Sequence, residues 1–200
     1  MSDTSGNPEP LFLFPPDDSS ASSAPVPALS STVAPAADAA TALPAAGAPI
    51  TREGAALIAA QVYALVRACP PGRVTTYGWL GAALGYARGA RMVGWIMNEA
   101  PRWLDVPAQR VVSAKGELTG SWAFGQRGRM SQLLADEGVT FDAAGRVEMR
   151  RYAWEPTRDL APADRERLLA EADPQTVEVS DTLLRLLLDD PASPFRIARA

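Results

Sequence analysis

Histidine is missing from the 200 residues, and cysteine occurs once, as Cys69. The first absence removes the commonest metal ligand and the commonest general base near neutral pH; the second excludes an internal disulfide. Both point to a cytoplasmic protein with no metal site. A phosphate-cradling glycine loop and an internal repeat are lacking too, so no cofactor is expected. Basic side chains are absent from residues 1–50, where Asp3, Glu9, Asp17, Asp18 and Asp38 are the only charges among Ala, Pro and Ser. So little apolar surface cannot offset the entropy of ordering, and the expectation is a disordered acidic leader. Its one apolar island, Leu11-Phe12-Leu13-Phe14 before Pro15-Pro16, is too short to cross a bilayer and lacks the basic start of a secretory signal. It reads either as a bland stretch or as a short peptide that docks a partner, and no membrane association is expected.

The formal charge of −4 is unevenly spread. Residues 51–155 hold thirteen basic against nine acidic side chains, whereas residues 156–200 hold six against nine. Only the middle segment has the sign that meets phosphates, by a modest margin, and its acidic flanks would weaken non-specific binding to DNA.

From Thr51 the pattern becomes helical. Ala55, Leu57, Ile58, Val62, Leu65 and Val66 recur at spacings of three to four as far as Cys69-Pro70-Pro71-Gly72. Val74-Thr75-Thr76-Tyr77 leads into a second helix through Trp79, Leu80, Ala83 and Leu84, with a threonine hydroxyl at hand to cap it, and Gly85 ends it. Ala90 to Asn98 reads as a third helix burying Val93, Ile96 and Met97. Helix, tight turn, helix is the outline of a DNA-reading module. A short extended piece at Arg110-Val111-Val112, a turn at Ser113-Ala114-Lys115-Gly116, a glycine-flanked aromatic loop Gly120–Gly125 and a helix from Arg129 to Asp136 follow. Glu137-Gly138-Val139 closes that helix, Gly145 to Met149 reads as a strand, and Trp154-Glu155-Pro156 as the end of the compact unit. Beyond it, Ala163–Ala172 and Thr182–Leu188 are amphipathic candidates that either pack on the domain or fray.

Three stretches carry a resemblance by their order and spacing: Pro71-Gly72-Arg73-Val74-Thr75-Thr76-Tyr77-Gly78, Ala90-Arg91-Met92-Val93-Gly94, and Pro107-Ala108-Gln109-Arg110-Val111-Val112. With Glu137-Gly138-Val139 and Arg151-Tyr152-Ala153-Trp154 behind them, the region from about 53 to 155 resembles the DNA-binding domain of the O⁶-alkylguanine-DNA alkyltransferases, and more closely its alkyltransferase-like branch. The resemblance implies a mainly α, winged-helix-like domain with a helix-turn-helix and short β segments over 51–156. It would lie between the leader, 1–50, and a partly helical extension, 157–200.

A guanine inside a duplex hides its exocyclic oxygen, so a reader must turn the nucleotide out of the stack at a cost of a few kcal/mol. The resemblance assigns that work to Tyr77, crowding the backbone, and Arg91, filling the vacated stack and bonding the orphaned base. It implies a lesion pocket at Pro107, Ala108, Val111, Ser121 and Trp122, and DNA contacts at Thr75, Thr76, Arg88, Ala90, Gly94, Asn98, Arg110 and Lys115. Ala90 and Gly94 suit a helix entering the minor groove, about 6 Å wide.

Active alkyltransferases read Pro-Cys-His-Arg where this chain has Pro107-Ala108-Gln109-Arg110. Alanine offers no nucleophile and glutamine takes no proton near neutral pH, so both elements of covalent transfer are gone. Ala108 also leaves room for a bulkier alkyl group. With Gln109 in the histidine position, Glu137 keeps a structural hydrogen bond, to Arg110 for instance, and Cys69, at a helix end before two prolines, reads as a buried, idle thiol.

What the resemblance implies is a monomeric, nucleoid-associated protein that binds duplex DNA containing O⁶-alkylguanine, flips the lesion without removing the alkyl group, and marks it for nucleotide excision repair. Three rivals stay open: an enzyme using Cys69 or an acidic residue, a helix-turn-helix regulator of undamaged sequences, and an interaction protein centred on its tails.

Overall fold

Helix α1 (Arg52–Ala68) begins where the Thr51 hydroxyl accepts from the Gly54 amide at 3.0 Å, and stops at Cys69, ahead of two prolines that cannot continue it. Every residue from Ala55 to Tyr63 is buried. A helix that is apolar on all sides must be covered on all sides, and the rest of the fold does this. The computed structural model describes residues 49–99, 105–189 and 193–195, so the leader's first 48 residues, with their apolar island, fall outside it.

Strand β1 (Thr75–Thr76) runs directly into α2 (Tyr77–Ala83), and the Thr76 hydroxyl caps that helix by accepting from Trp79 N at 3.2 Å. After a turn at Gly85, held at φ +86°, comes α3 (Ala90–Asn98). The two helices close on each other through glycine backbones: a Cβ on Gly81 would lie 2.9 Å from the Cα of Gly89. The turn is tied by Tyr86 N donating to Gly81 O at 2.9 Å and Gly89 N to Tyr86 O at 2.8 Å. This is the helix-turn-helix foreseen in the sequence.

Strand β2 (Val111–Val112) pairs parallel with β1, Thr75 opposite Val111 and Thr76 opposite Val112. Because successive strand residues point to opposite faces, Val111 joins the core around α1 with Leu80, Met92, Val93 and Ile96. Val112 joins a second cluster with Val74, Met130, Leu134, Val147 and Tyr152, covered by α4 (Arg129–Asp136). The short β segments thus separate two small cores in a mainly helical domain. Gly138 ends the α4 turn at φ +84°.

A strand over Gly145–Met149 does not form. Only Val147 bridges, to Phe141, and Met149 already starts α5 (Met149–Tyr152). Asp142 closes a turn by accepting from the amides of Ala144 and Arg146, both at 2.9 Å, while Val147 N donates away from that turn to Gly116 O at 2.9 Å. No ladder longer than one bridge is left.

Nor does packing stop at Trp154–Pro156. Helices α6 (Pro156–Asp159), α7 (Pro162–Ala170) and α8 (Asp181–Asp189) follow, and Val177, Val179, Leu183, Leu187 and Phe195 are buried in the α1 core. Gln61 of α1 donates to Leu169 O of α7 at 3.0 Å. Among the described residues no helix is long and apolar enough to cross a membrane.

The glycine contact sets a test. Gly81→Ala gains about 1 kcal/mol of helix propensity but forces a methyl into backbone that cannot yield, at a cost of about 1–3 kcal/mol. We expect net destabilisation, read as a lower urea midpoint at unchanged m-value.

Candidate nucleic-acid interface

The exposed face of α3, the start of α2 and the turn Ser121–Phe124 border a groove of about 580 Å³. Tyr77 and Gly78 line it from α2, Ala90, Arg91, Gly94, Trp95, Met97 and Asn98 from α3, and Ala108, Thr119, Gly120, Trp122 and Phe124 from the segments beyond. Among the described residues Arg91 is the only charged one lining the groove, whose walls are otherwise mostly apolar. Met97, which the helical pattern assigns to the core, is half-buried: it packs against the α1 core and also lines the groove.

Local structure fixes the groove's chief side chains. Tyr77 sits at the first position of α2, half-buried, hydrogen-bonded to Thr119, and its hydroxyl would meet a Cβ on Gly120 at 3.1 Å. Burial raises its phenol pKa, with the Thr119 bond partly offsetting that. Arg91 is exposed on the first turn of α3, with its guanidinium carbon 5.7 Å from the centre of the Trp95 ring four residues on. A Cβ on Gly94 would meet nothing within 4 Å, so the missing side chain leaves space in the groove. Trp122 is 67% exposed, the large apolar side chain most open to solvent among the described residues, while Phe124 packs on the second core.

The structure therefore brings Tyr77, Arg91, Ala90, Gly94, Asn98, Ala108 and Trp122 together, and Pro107 and Ser121 stand next in sequence to lining residues. Other residues singled out in the sequence go elsewhere. Val111 is 1% exposed and belongs to the α1 core rather than to the pocket wall, because its pairing with Thr75 turns it inward. Thr75 and Thr76 are buried too, the latter's hydroxyl spent on capping α2, so neither side chain is placed to meet a phosphate. Arg88 and Lys115 are exposed on turns outside the groove.

Arg110 is withdrawn into an ion pair. Its Nε donates to both oxygens of Glu137, at 3.2 and 2.9 Å, and its Nη1 to Cys69 O at 2.8 Å. The same carboxylate accepts from Gln109 Nε2 at 2.8 Å and from Gly72 N at 3.0 Å. Burial pushes the Glu137 pKa up, but the bonds from Arg110, Gly72 and Gln109 outweigh it and hold the carboxyl below its ordinary range. The hydrogen bond from Arg110 to Glu137 is the one the sequence suggested. Gln109, beside Ala108 in the groove, is thereby fixed as a donor to a structural carboxylate.

Cys69 is fully buried at the end of α1, its thiol 3.5 Å from Arg73 O, and burial above all pushes its pKa up to about 12. It does not line the groove. A neutral, inaccessible thiol cannot act as a nucleophile at neutral pH.

Sequence reasoning missed Trp95 and the Thr119–Gly120 brace on Tyr77. The first was legible, since Trp95 lies one turn along from Arg91 on one helix face; the second joins residues more than forty positions apart and had no local signal.

The family model for the DNA-binding domain of 6-O-methylguanine DNA methyltransferase matches residues 58–139. A DNA base-flipping protein of Escherichia coli K12 is 36% identical over 94 residues, 47% of this chain and 71% of that protein. The chain belongs to this methyltransferase DNA-binding-domain family. Another relative, alkyltransferase-like protein 1 of Schizosaccharomyces pombe, is 28% identical over 100 residues, 48% of this chain and 93% of that protein. A solved structure of S. pombe Atl1 in complex with damaged DNA containing O6-carboxymethylguanine is also similar, at 28% identity over 50% of this chain and 95% of that chain, with a TM-score of 0.44. Within the family match lie α2, α3, the Ala108 segment and the turn Ser121–Phe124, which together border the groove.

The Glu137 cluster gives a pH test. A carboxyl whose folded pKa is lowered stabilises fully above its unfolded value, near 4.5, and loses that contribution as pH falls through the lower folded value. Glu137→Gln is expected to cost about 2 kcal/mol at pH 7, with the difference from the native protein shrinking below about pH 4.5 in urea titrations. Cys69 should resist a thiol reagent in the folded protein and react only on unfolding.

Proposed function

We propose that this protein recognises O⁶-alkylguanine in duplex DNA by turning the nucleotide out of the stack into the α3 groove, holding it reversibly without transferring the alkyl group. The observation that carries this reading is the groove: largely apolar, lined by Tyr77 and an exposed Trp122, with Arg91 the one charged side chain lining it among the described residues. An alkylated base face is apolar and gains from such a lining, whereas the planar guanidinium of Arg91 suits the gap that the base leaves in the stack. Relatives named for base flipping support the assignment.

In this reading α3 enters the minor groove, and the small residues Ala90 and Gly94 let its backbone approach the DNA. Tyr77, braced by Thr119, crowds the phosphate beside the lesion. Arg91 leaves its stack on Trp95 for the gap in the duplex, exchanging one planar stacking partner for another. The extruded base sits by Pro107 and Ala108 with Ser121 and Trp122 at its edge. Asn98, Arg88 and Lys115 meet the backbone from around the groove.

Transfer has no route through these residues. Ala108 lines the groove where the resemblance places the acceptor thiol, Gln109 donates to Glu137 instead of taking a proton, and Cys69 is buried away from the groove. With no covalent step, the lifetime of the complex carries the signal, and its handover is to nucleotide excision repair.

Equilibrium binding to a duplex with one O⁶-methylguanine, beside its unmodified twin at one stated salt concentration, tests the reading. The native protein should prefer the lesion, and Arg91→Ala should lose that preference by about tenfold or more, about 1.4 kcal/mol. Equal affinity of the native protein for both duplexes would refute it. A second variant separates stability from function: Gly94→Ala should raise stability by up to about 1 kcal/mol, since its methyl meets nothing in the free protein, yet weaken binding to both duplexes.

A further inference from the structure

The groove wall is a nine-residue helix, α3, with no side-chain cap at its N-terminus. A helix this short has little stability of its own, so its direction is set by what grips it. Gly81 and Gly89 grip the start, and Met92, Val93 and Ile96 anchor the middle. The C-terminal end is gripped from two other elements. Tyr63 of α1 donates its hydroxyl to Ile96 O at 3.0 Å, and Ser180 donates its hydroxyl to the Glu99 carboxylate at 2.5 Å.

Ser180 lies beyond the family match, which ends at residue 139, in the segment whose Val179, Leu183 and Leu187 complete the α1 core. Its hydroxyl does two jobs at once, donating to Glu99 and accepting from Leu183 N at 3.0 Å, which caps the start of α8. Arg52, at the start of α1, binds Val179 O and the Asp181 carboxylate on either side of Ser180 in sequence. The N-terminus of α8 is thus pinned between the start of α1 and the end of α3. Glu99 follows directly on Met97 and Asn98, both in the groove wall.

We propose that Ser180 is a positioning residue for lesion reading: through Glu99, the C-terminal extension sets the angle of α3 and with it the width of the groove. This rests on the function proposed above. Non-specific contacts to phosphate tolerate a small tilt of α3, whereas a base seated in the groove does not, so the extension acts on discrimination more than on affinity for DNA in general.

The test uses the full chain with Ser180→Ala, Ser180→Thr and Asp173→Ala. Asp173 caps the turn Pro174–Thr176 in the same extension, accepting from Gln175 N at 2.8 Å, and makes no tie to α3, so its loss reports on simple destabilisation. Binding to the O⁶-methylguanine duplex and its unmodified twin is measured for each, alongside thermal midpoints. Ser180→Ala is expected to reduce the preference for the lesion about five- to tenfold with affinity for the unmodified duplex within about twofold. Ser180→Thr, which keeps the hydroxyl, should restore the preference, and Asp173→Ala should keep it despite a lower midpoint. An unchanged preference in Ser180→Ala, or an equal loss in Asp173→Ala, overturns the positioning role while leaving the lesion-reading function intact. A native protein with no preference at all overturns the function itself.

Discussion

Helix α1 is buried at every residue from Ala55 to Tyr63 and again at Leu65 and Val66, and that one constraint organises the molecule. A helix with so long a buried run loses its stabilisation unless that run is kept from water on every side. Helices α2 and α3 cover one part of it, and α7, α8 and the turn at Pro174–Thr176 cover others. Because Met92, Val93 and Ile96 face α1, the opposite face of α3 must point outward, and it is this face that carries Ala90, Arg91, Gly94 and Asn98. The groove is a consequence of how α1 is buried.

The second constraint is backbone proximity at glycine. Gly81 against Gly89 lets α3 sit close to α2, and Gly116, held at φ +78°, lets the Ala114–Gly116 turn lie against Val147, where a Cβ would fall 2.3 Å from the carbonyl oxygen. Around these fixed points the polar groups divide into two sets. Arg110, Gln109, Glu137 and the Gly72 amide are spent on one another inside the protein, while Arg91, Asn98 and the Tyr77 edge face the groove. The Glu137 carboxylate is thus held in a structural cluster, with Gln109, Arg110 and the Gly72 amide as its donors.

Much of this was legible in the residues. The α1 periodicity, the threonine cap on α2, the stop at Gly85, the span of α3 and the closing Gly138 all follow from local rules, and the structure agrees with them. Tyr77, Arg91, Gly94 and Ala108 reach one groove because three short motifs lie at fixed spacing on those elements. What was not legible depends on partners distant in sequence. Val111 reads as a pocket residue until its pairing with Thr75 turns it into the core, and the carbonyl of Cys69, forty-one residues back, which helps hold the Arg110 guanidinium away from DNA, had no signal in the sequence. The apolar stripe of α8 was visible, but that it completes the core of α1 was not, since an amphipathic face names no partner.

The central claim is that the lesion leaves the stack and stays chemically intact. The structure of the complex with a duplex containing one O⁶-methylguanine tests it most directly. The account predicts the alkylated base lodged in the groove beside Ala108 and Trp122, the Arg91 guanidinium in the vacated stack, and the methyl group still on the guanine oxygen. A lesion that stays paired and stacked inside the duplex, or a methyl group found on the protein, would contradict it.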